Sequence, residues 1–141
     1  MTKDVFLTIT SAHSHPDSET DHIDLITHGT LRDLEGALEV SYQETELTDM
    51  DGTTTSIILQ GNQVTLMRNG PVCSQMVFEQ GRRHLSVYAT PYGNLEIAVF
   101  TRRLGNHLTA EGGTLEIDYA LEADHALVGV IAYRLTMQVQ T

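Results

Sequence analysis

Residues 51–70 read DGTTTSIILQGNQVTLMRNG, and this stretch decides the fold. Asp51-Gly52, Gly61-Asn62 and Asn69-Gly70 are dipeptides that tolerate the positive φ of two-residue hairpin turns. Between them Ile57 and Leu59, then Val64 and Leu66, recur at every second position, the period of a half-buried strand. Two short strands joined by tight turns are therefore expected here. The rest of the chain repeats the pattern.

Gly52, Gly61, Gly70, Gly81 and Gly93 fall 9, 9, 11 and 12 residues apart, the punctuation of a many-stranded antiparallel fold. Eighteen threonines suit strands, and Gly112-Gly113 and Ala123-Asp124-His125 mark further turns. Leu95, Ile97, Val99 and Thr101 share one parity, as do Leu115, Ile117, Tyr119 and Leu121. The last segment carries Leu127, Gly129, Ile131, Tyr133, Leu135, Met137 and Val139 on one face, and Val5, Leu7 and Ile9 repeat this near the start. About ten strands result, near residues 3–11, 22–31, 37–47, 54–60, 63–68, 73–79, 84–89, 94–104, 114–122 and 126–140. Thr30–Leu38, bracketed by Gly29 and Gly36, is the one helical candidate, and Ala12–Asp21 reads as a polar loop. A meander of this many strands loses its edges by closing on itself. The expectation is a single domain over residues 1–141, an all-β closed antiparallel up-and-down barrel of about eight to ten strands, with a two-sheet sandwich as the competitor.

Charge restricts the partners. Asp plus Glu number 19 against 8 for Lys plus Arg, a formal net charge of -11. Phosphate backbones and anionic membranes need clustered cations, so neither nucleic acid nor a membrane surface is expected as partner. The longest apolar run, Ala126–Tyr133, falls far short of the roughly 20 residues of a membrane span. The single Cys73 cannot form an intramolecular disulfide, and the short apolar run Val5-Phe6-Leu7 does not suit a signal peptide. A cytoplasmic protein is expected.

Several segments resemble the YwiB-like family of small bacterial proteins of unknown function. They are SYQETEL (41–47), LMRNG (66–70), QMVFEQGRRH (75–84), TPYGNL (90–95) and GTLEIDY (113–119), in order along a match from about Asp24 to the end. The resemblance implies a closed barrel of the lipocalin-like (calycin) type and implies no activity. Two positions depart from the family's pattern: Leu38, near which a large aromatic is usual, and Ala132 or Tyr133, near which an Asn is usual.

Parity also identifies polar groups on apolar faces. Glu44 shares parity with Val40 and Tyr42, and Arg68 with Val64 and Leu66. If those faces point inward, a carboxylate and a guanidinium enter the barrel, where neither is tolerated alone. They form either an anchor for a ligand's charged head or a structural ion pair, and sequence leaves both open. His84 and Tyr88 share parity on a nearby strand, and Tyr92 lies in a Pro-Gly turn suited to a barrel mouth. Tyr42, Glu44, Arg68, His84, Tyr88 and Tyr92 are thus the candidate ligand-binding residues. Gln80–His84 carries adjacent arginines and reads as a solvated turn; His13, His15, Asp17, Asp21 and His22 match no metal-ligand spacing. No catalytic arrangement, metal site or cofactor is expected. The leading expectation is a non-catalytic binding protein for a small, partly apolar, anionic ligand; the alternative is a protein-interaction or structural module with a filled barrel, acting as a homo-oligomer.

Overall fold

The computed structural model describes residues 2–14, 20–44, 52–71, 73–123 and 125–140. Ten strands follow one another: β1 (Thr2–Ser14), β2 (Asp21–Leu34), β3 (Ala37–Gln43), β4 (Thr54–Gln60), β5 (Gln63–Asn69), β6 (Cys73–Glu79), β7 (Arg83–Thr90), β8 (Gly93–Thr109), β9 (Gly112–Ala123) and β10 (Ala126–Val139). Each pairs antiparallel with its sequence neighbours, and β1 pairs with β10 from Val5↔Val139 to Ser14↔Val130, which closes the barrel. No helix in the described residues is long and apolar enough to cross a membrane.

The period-two stripes face the lumen. Val5, Leu7, Val40, Ile57, Val64, Val99, Leu115 and Leu135 are fully buried. Each such side chain contributes about 1.5–3 kcal/mol relative to exposure. Most of them lie toward the end that carries the β2–β3, β4–β5, β6–β7 and β8–β9 turns, and they fill it. Lys3, the only lysine, donates from Nζ to Ala110 O at 3.0 Å and ties β1 to the β8–β9 turn across this closed end.

Four expectations are corrected. The helical candidate Thr30–Leu38 is the end of β2, a turn at Glu35-Gly36 and the start of β3; Gly36 at φ +82° reverses the chain, and Arg32 meets Glu39 across the hairpin at 3.1 Å. The polar segment expected as a loop from Ala12 to Asp21 is strand at both its ends, since β1 continues to Ser14 and β2 begins at Asp21, with His13 opposite Asp21. Gly70 does not take positive φ, although Gly52 and Gly61 do. A Cβ on Gly70 would lie 2.8 Å from Gly52 O and from Thr53 Cα, so close backbone approach explains that glycine. Finally, the parity of β10 breaks at a bulge between Leu127 and Gly129.

A second bulge, between Thr101 and Arg103, lets β8 run on to Thr109. It leaves Arg102 and Arg103 both outside while Thr101, Leu104 and Leu108 stay inside or half-buried, as one extra residue in a strand does. The seam between β6 and β7 is different again. Its ladder consists of Cys73↔Ala89 and Ser74↔Tyr88, with no further pair between Gln75–Glu79 and Arg83–Val87 among the described residues. There the Ser86 hydroxyl donates to the Gln75 carbonyl, and His84 Nε2 lies 3.3 Å from Glu79 Oε1. The β6–β7 turn attaches instead to β8, with Gly81 N donating to Thr101 O and Thr101 N to Arg82 O.

Candidate functional site: a half-hollow barrel with a polar cluster

The end of the barrel opposite the filled one is hollow. A cavity of about 510 Å³ lies between the open-end halves of β1, β2, β8, β9 and β10, the last residues of the short strands β3 and β5, and Met76 and Phe78 of β6. That volume falls within the range of about 300–1,000 Å³ typical of small-molecule sites. Most of its wall is aliphatic, from Ile23, Leu25, Leu66, Ile117, Leu121 and Ile131. Leu95 and Val128, both partly exposed, border it near the rim.

The polar exceptions gather in one place. Glu44 follows Tyr42 on the inward parity of β3, and Glu44 N donates to Thr53 O at 2.8 Å, which holds the carboxylate over the lumen as the strand ends. Thr55 Oγ1 donates to Glu44 Oε1 at 2.6 Å, and the Tyr42 hydroxyl also interacts with this carboxylate. Arg68, inward on β5, brings Nε to 4.0 Å from Glu44 Oε1; the two side chains are 17% and 1% exposed. The pair is loose, and Arg68 Nε makes no hydrogen bond.

Three phenols surround the guanidinium. Burial pushes the Tyr42 hydroxyl up to about 12; the Glu44 charge adds to this and Arg68 opposes it. Burial likewise holds Tyr133 well above the usual phenol range, with Tyr42 adding and Arg68 opposing. Tyr119 is raised by burial and lowered by Arg68, and its ring packs on Phe78 with centroids 4.7 Å apart. All three are neutral donors at neutral pH. Tyr42 and Tyr133 approach closely enough to affect each other, yet Tyr133 Oη completes no hydrogen bond of ordinary geometry. Arg68 and Tyr133 both line the cavity, and Arg68 Nε and Tyr133 Oη are buried in its wall without a hydrogen bond of ordinary geometry. A buried donor without a partner costs about 1–3 kcal/mol, which an acceptor from a bound molecule would recover. Ser11 and His13 also line the cavity, but Ser11 Oγ and His13 Nε2 satisfy each other at 2.9 Å.

Of the six residues chosen from sequence, the cavity brings together Tyr42, Glu44 and Arg68. Tyr92 projects from the β7–β8 turn at the open end, 99% exposed, and does not line the cavity. His84 is half-buried on Glu79 at the β6–β7 seam and outside the cavity wall. The Tyr88 backbone pairs with Ser74 and Leu95, and its side chain lies outside the described residues. Of the five residues considered for a metal, His15 and Asp17 lie outside the described residues; among those described, no group of three His, Cys, Asp or Glu converges. Sequence reasoning missed Tyr119, Tyr133 and Thr55. The signal existed, because both tyrosines sit on inward stripes where a hydroxyl needs a partner.

The other arginines with ion pairs face outward: Arg32 to Glu39 at 3.1 Å, Arg83 to Glu122 at 2.9 Å, Arg134 and Arg103 to Glu116 at 3.6 and 3.8 Å. Exposed pairs of this kind contribute about 0–1 kcal/mol. Arg68 alone among the arginines lines the cavity.

No curated protein matches the chain in sequence. The crystal structure of the ywiB protein from Bacillus subtilis is similar over 99% of this chain and 94% of that one, with a TM-score of 0.87 at 21% identity. That likeness shows the fold, an all-β closed barrel of the lipocalin-like type. The profile of a family described as a domain of unknown function, DUF1934, matches residues 7–137. The chain therefore belongs to the DUF1934 family, the YwiB-like small bacterial β-barrel proteins.

Proposed function

We propose that this protein is a non-catalytic binding protein that holds a small, partly apolar, anionic molecule inside its barrel, in the cytoplasm. One observation carries this reading: a mostly aliphatic cavity of about 510 Å³ contains a cation, Arg68, whose Nε is buried without a hydrogen bond. A barrel evolved only for packing gains by filling that space, since voids and unpaired donors both cost stability. Native mass spectrometry of protein purified without denaturant is the test, and a co-purifying small molecule is the expected result. A ligand at 100 times its Kd stabilises by about 2.7 kcal/mol, so a rise in Tm should accompany readdition. A bare protein mass, with no thermal shift across fatty acids and small organic anions, would sink the reading.

A second reading draws on the outer face. Leu85 and Val87 point outward and exposed on β7, beside Phe100 on β8. They would suit contact between copies of the chain in a homo-oligomer. Light scattering coupled to size exclusion separates the readings: an oligomer dispersed by Leu85→Glu, with nothing bound in the barrel, favours this second one.

A further inference from the structure

The polar cluster is specific about what it leaves unsatisfied. Glu44 Oε1 already accepts from Thr55, and Ser11 already meets His13. Arg68 Nε and Tyr133 Oη are the cavity-lining side-chain atoms that are buried without a partner. We infer that the ligand is an apolar monocarboxylic acid, seated head-first with its carboxylate on the guanidinium of Arg68, beside Tyr133. This rests on the reading of the barrel as a container.

Two features favour a single carboxylate over other head groups. Guanidinium edges and carboxylates match as parallel donors and acceptors, and such charge-assisted bonds are about twice as strong as neutral ones. The charge balance points the same way. Glu44, 4.0 Å from Arg68, already offsets most of the guanidinium's charge, so a dianion would meet a carboxylate with little cation left over. An ammonium head would meet Arg68 directly.

The cavity sets the size. At about 30 Å³ per water-sized volume, 510 Å³ holds on the order of 15 heavy atoms. Beyond the cluster the wall is Ile23, Leu121, Ile131, Leu95 and Val128, which suits a hydrocarbon body running from the head toward the rim.

Displacement of a neutral fluorescent probe, N-phenyl-1-naphthylamine, from the full chain tests this with four matched ten-carbon competitors: decanoate, decyl phosphate, decanol and decyltrimethylammonium. Decanoate should displace the probe at about tenfold lower concentration than the other three, one charge-assisted contact's worth of preference. Arg68→Met and the isosteric Tyr133→Phe should each bring decanoate to the level of decanol, the two competitors being compared within the same variant. Decyl phosphate matching decanoate, or the preference surviving in both folded variants, overturns the inference and leaves the container standing. A wild-type protein that binds neither probe nor any competitor overturns the container reading itself, and this inference with it.

Discussion

Replacing Arg68 by Met, Glu44 by Gln, and both together separates an anchor from a structural pair. Two unit charges 4.0 Å apart attract by about 4 kcal/mol at an effective dielectric constant near 20, before desolvation is subtracted. Breaking a buried pair typically costs about 3–5 kcal/mol, because the remaining charge is stranded. Here the Arg68→Met variant still leaves Glu44 with the Thr55 hydroxyl at 2.6 Å, so the cost should fall near the low end, about 3 kcal/mol. Glu44→Gln keeps an acceptor for Thr55 and leaves a partly exposed Arg68, a cost of about 1–2 kcal/mol. The double variant leaves no buried charge and should cost about 1 kcal/mol. The coupling energy then lies at about 3–4 kcal/mol, far above the roughly 0.3–0.5 kcal/mol scatter of independent sites. The chain has no Trp, so urea unfolding is followed by far-ultraviolet circular dichroism, with constant m required across the four proteins. Coupling below about 0.5 kcal/mol would refute the pairing. A double variant that regains both stability and ligand retention would refute the anchor, since the ligand would then not need the guanidinium.

Further outcomes follow from packing and titration. Tyr42 is raised from 10.0 to about 12, so it favours the folded state fully below pH 10 and loses that contribution as pH rises toward 12. At about 1.4 kcal/mol per pH unit this amounts to about 3 kcal/mol; Tyr42→Phe should flatten the alkaline fall in stability and remove a late phenolate step at 295 nm. Leu135→Ala, in the filled half, should cost about 2–5 kcal/mol, while Leu121→Ala, facing the cavity, should cost under about 1.5; equal losses in chemical denaturation would contradict a half-hollow barrel. Gly70→Ala drives a Cβ to 2.8 Å from the backbone of Gly52 and Thr53, so thermal melting should show a loss of about 1–3 kcal/mol despite an ordinary φ.

The strands were legible because alternation and turn glycines are both local, and nine of the ten expected segments carry through almost whole; the third stops at Gln43 rather than 47 in the described residues. The bulges at Arg103 and Gly129 were not legible, since they depend on register against a neighbour. The site divided along the same line. Glu44 and Arg68 stood out because charge on an apolar parity is conspicuous, whereas Tyr119 and Tyr133 passed as ordinary members of apolar stripes. His84 obeys inward parity, but β7 lies at a seam where parity no longer decides what a side chain meets. Which end is hollow could not be read at all, because it follows from the stagger of ten strands around a closed wall.

The two-pair ladder between β6 and β7 has a consequence for how the wall yields. Elsewhere the hydrogen bonds of adjacent strands act as a hoop, and widening the barrel means breaking a full ladder at once. At this seam the hoop is held by Ser86 on Gln75 and His84 on Glu79, contacts that rotamer changes can release singly. Any change in girth concentrates there, next to Met76 and Phe78 on the cavity wall. The amides of Gln75–Glu79 and Arg83–Val87 should exchange with deuterium well before those of β1 and β10, and a guest thicker than the resting lumen would be accommodated by the parting of one stave.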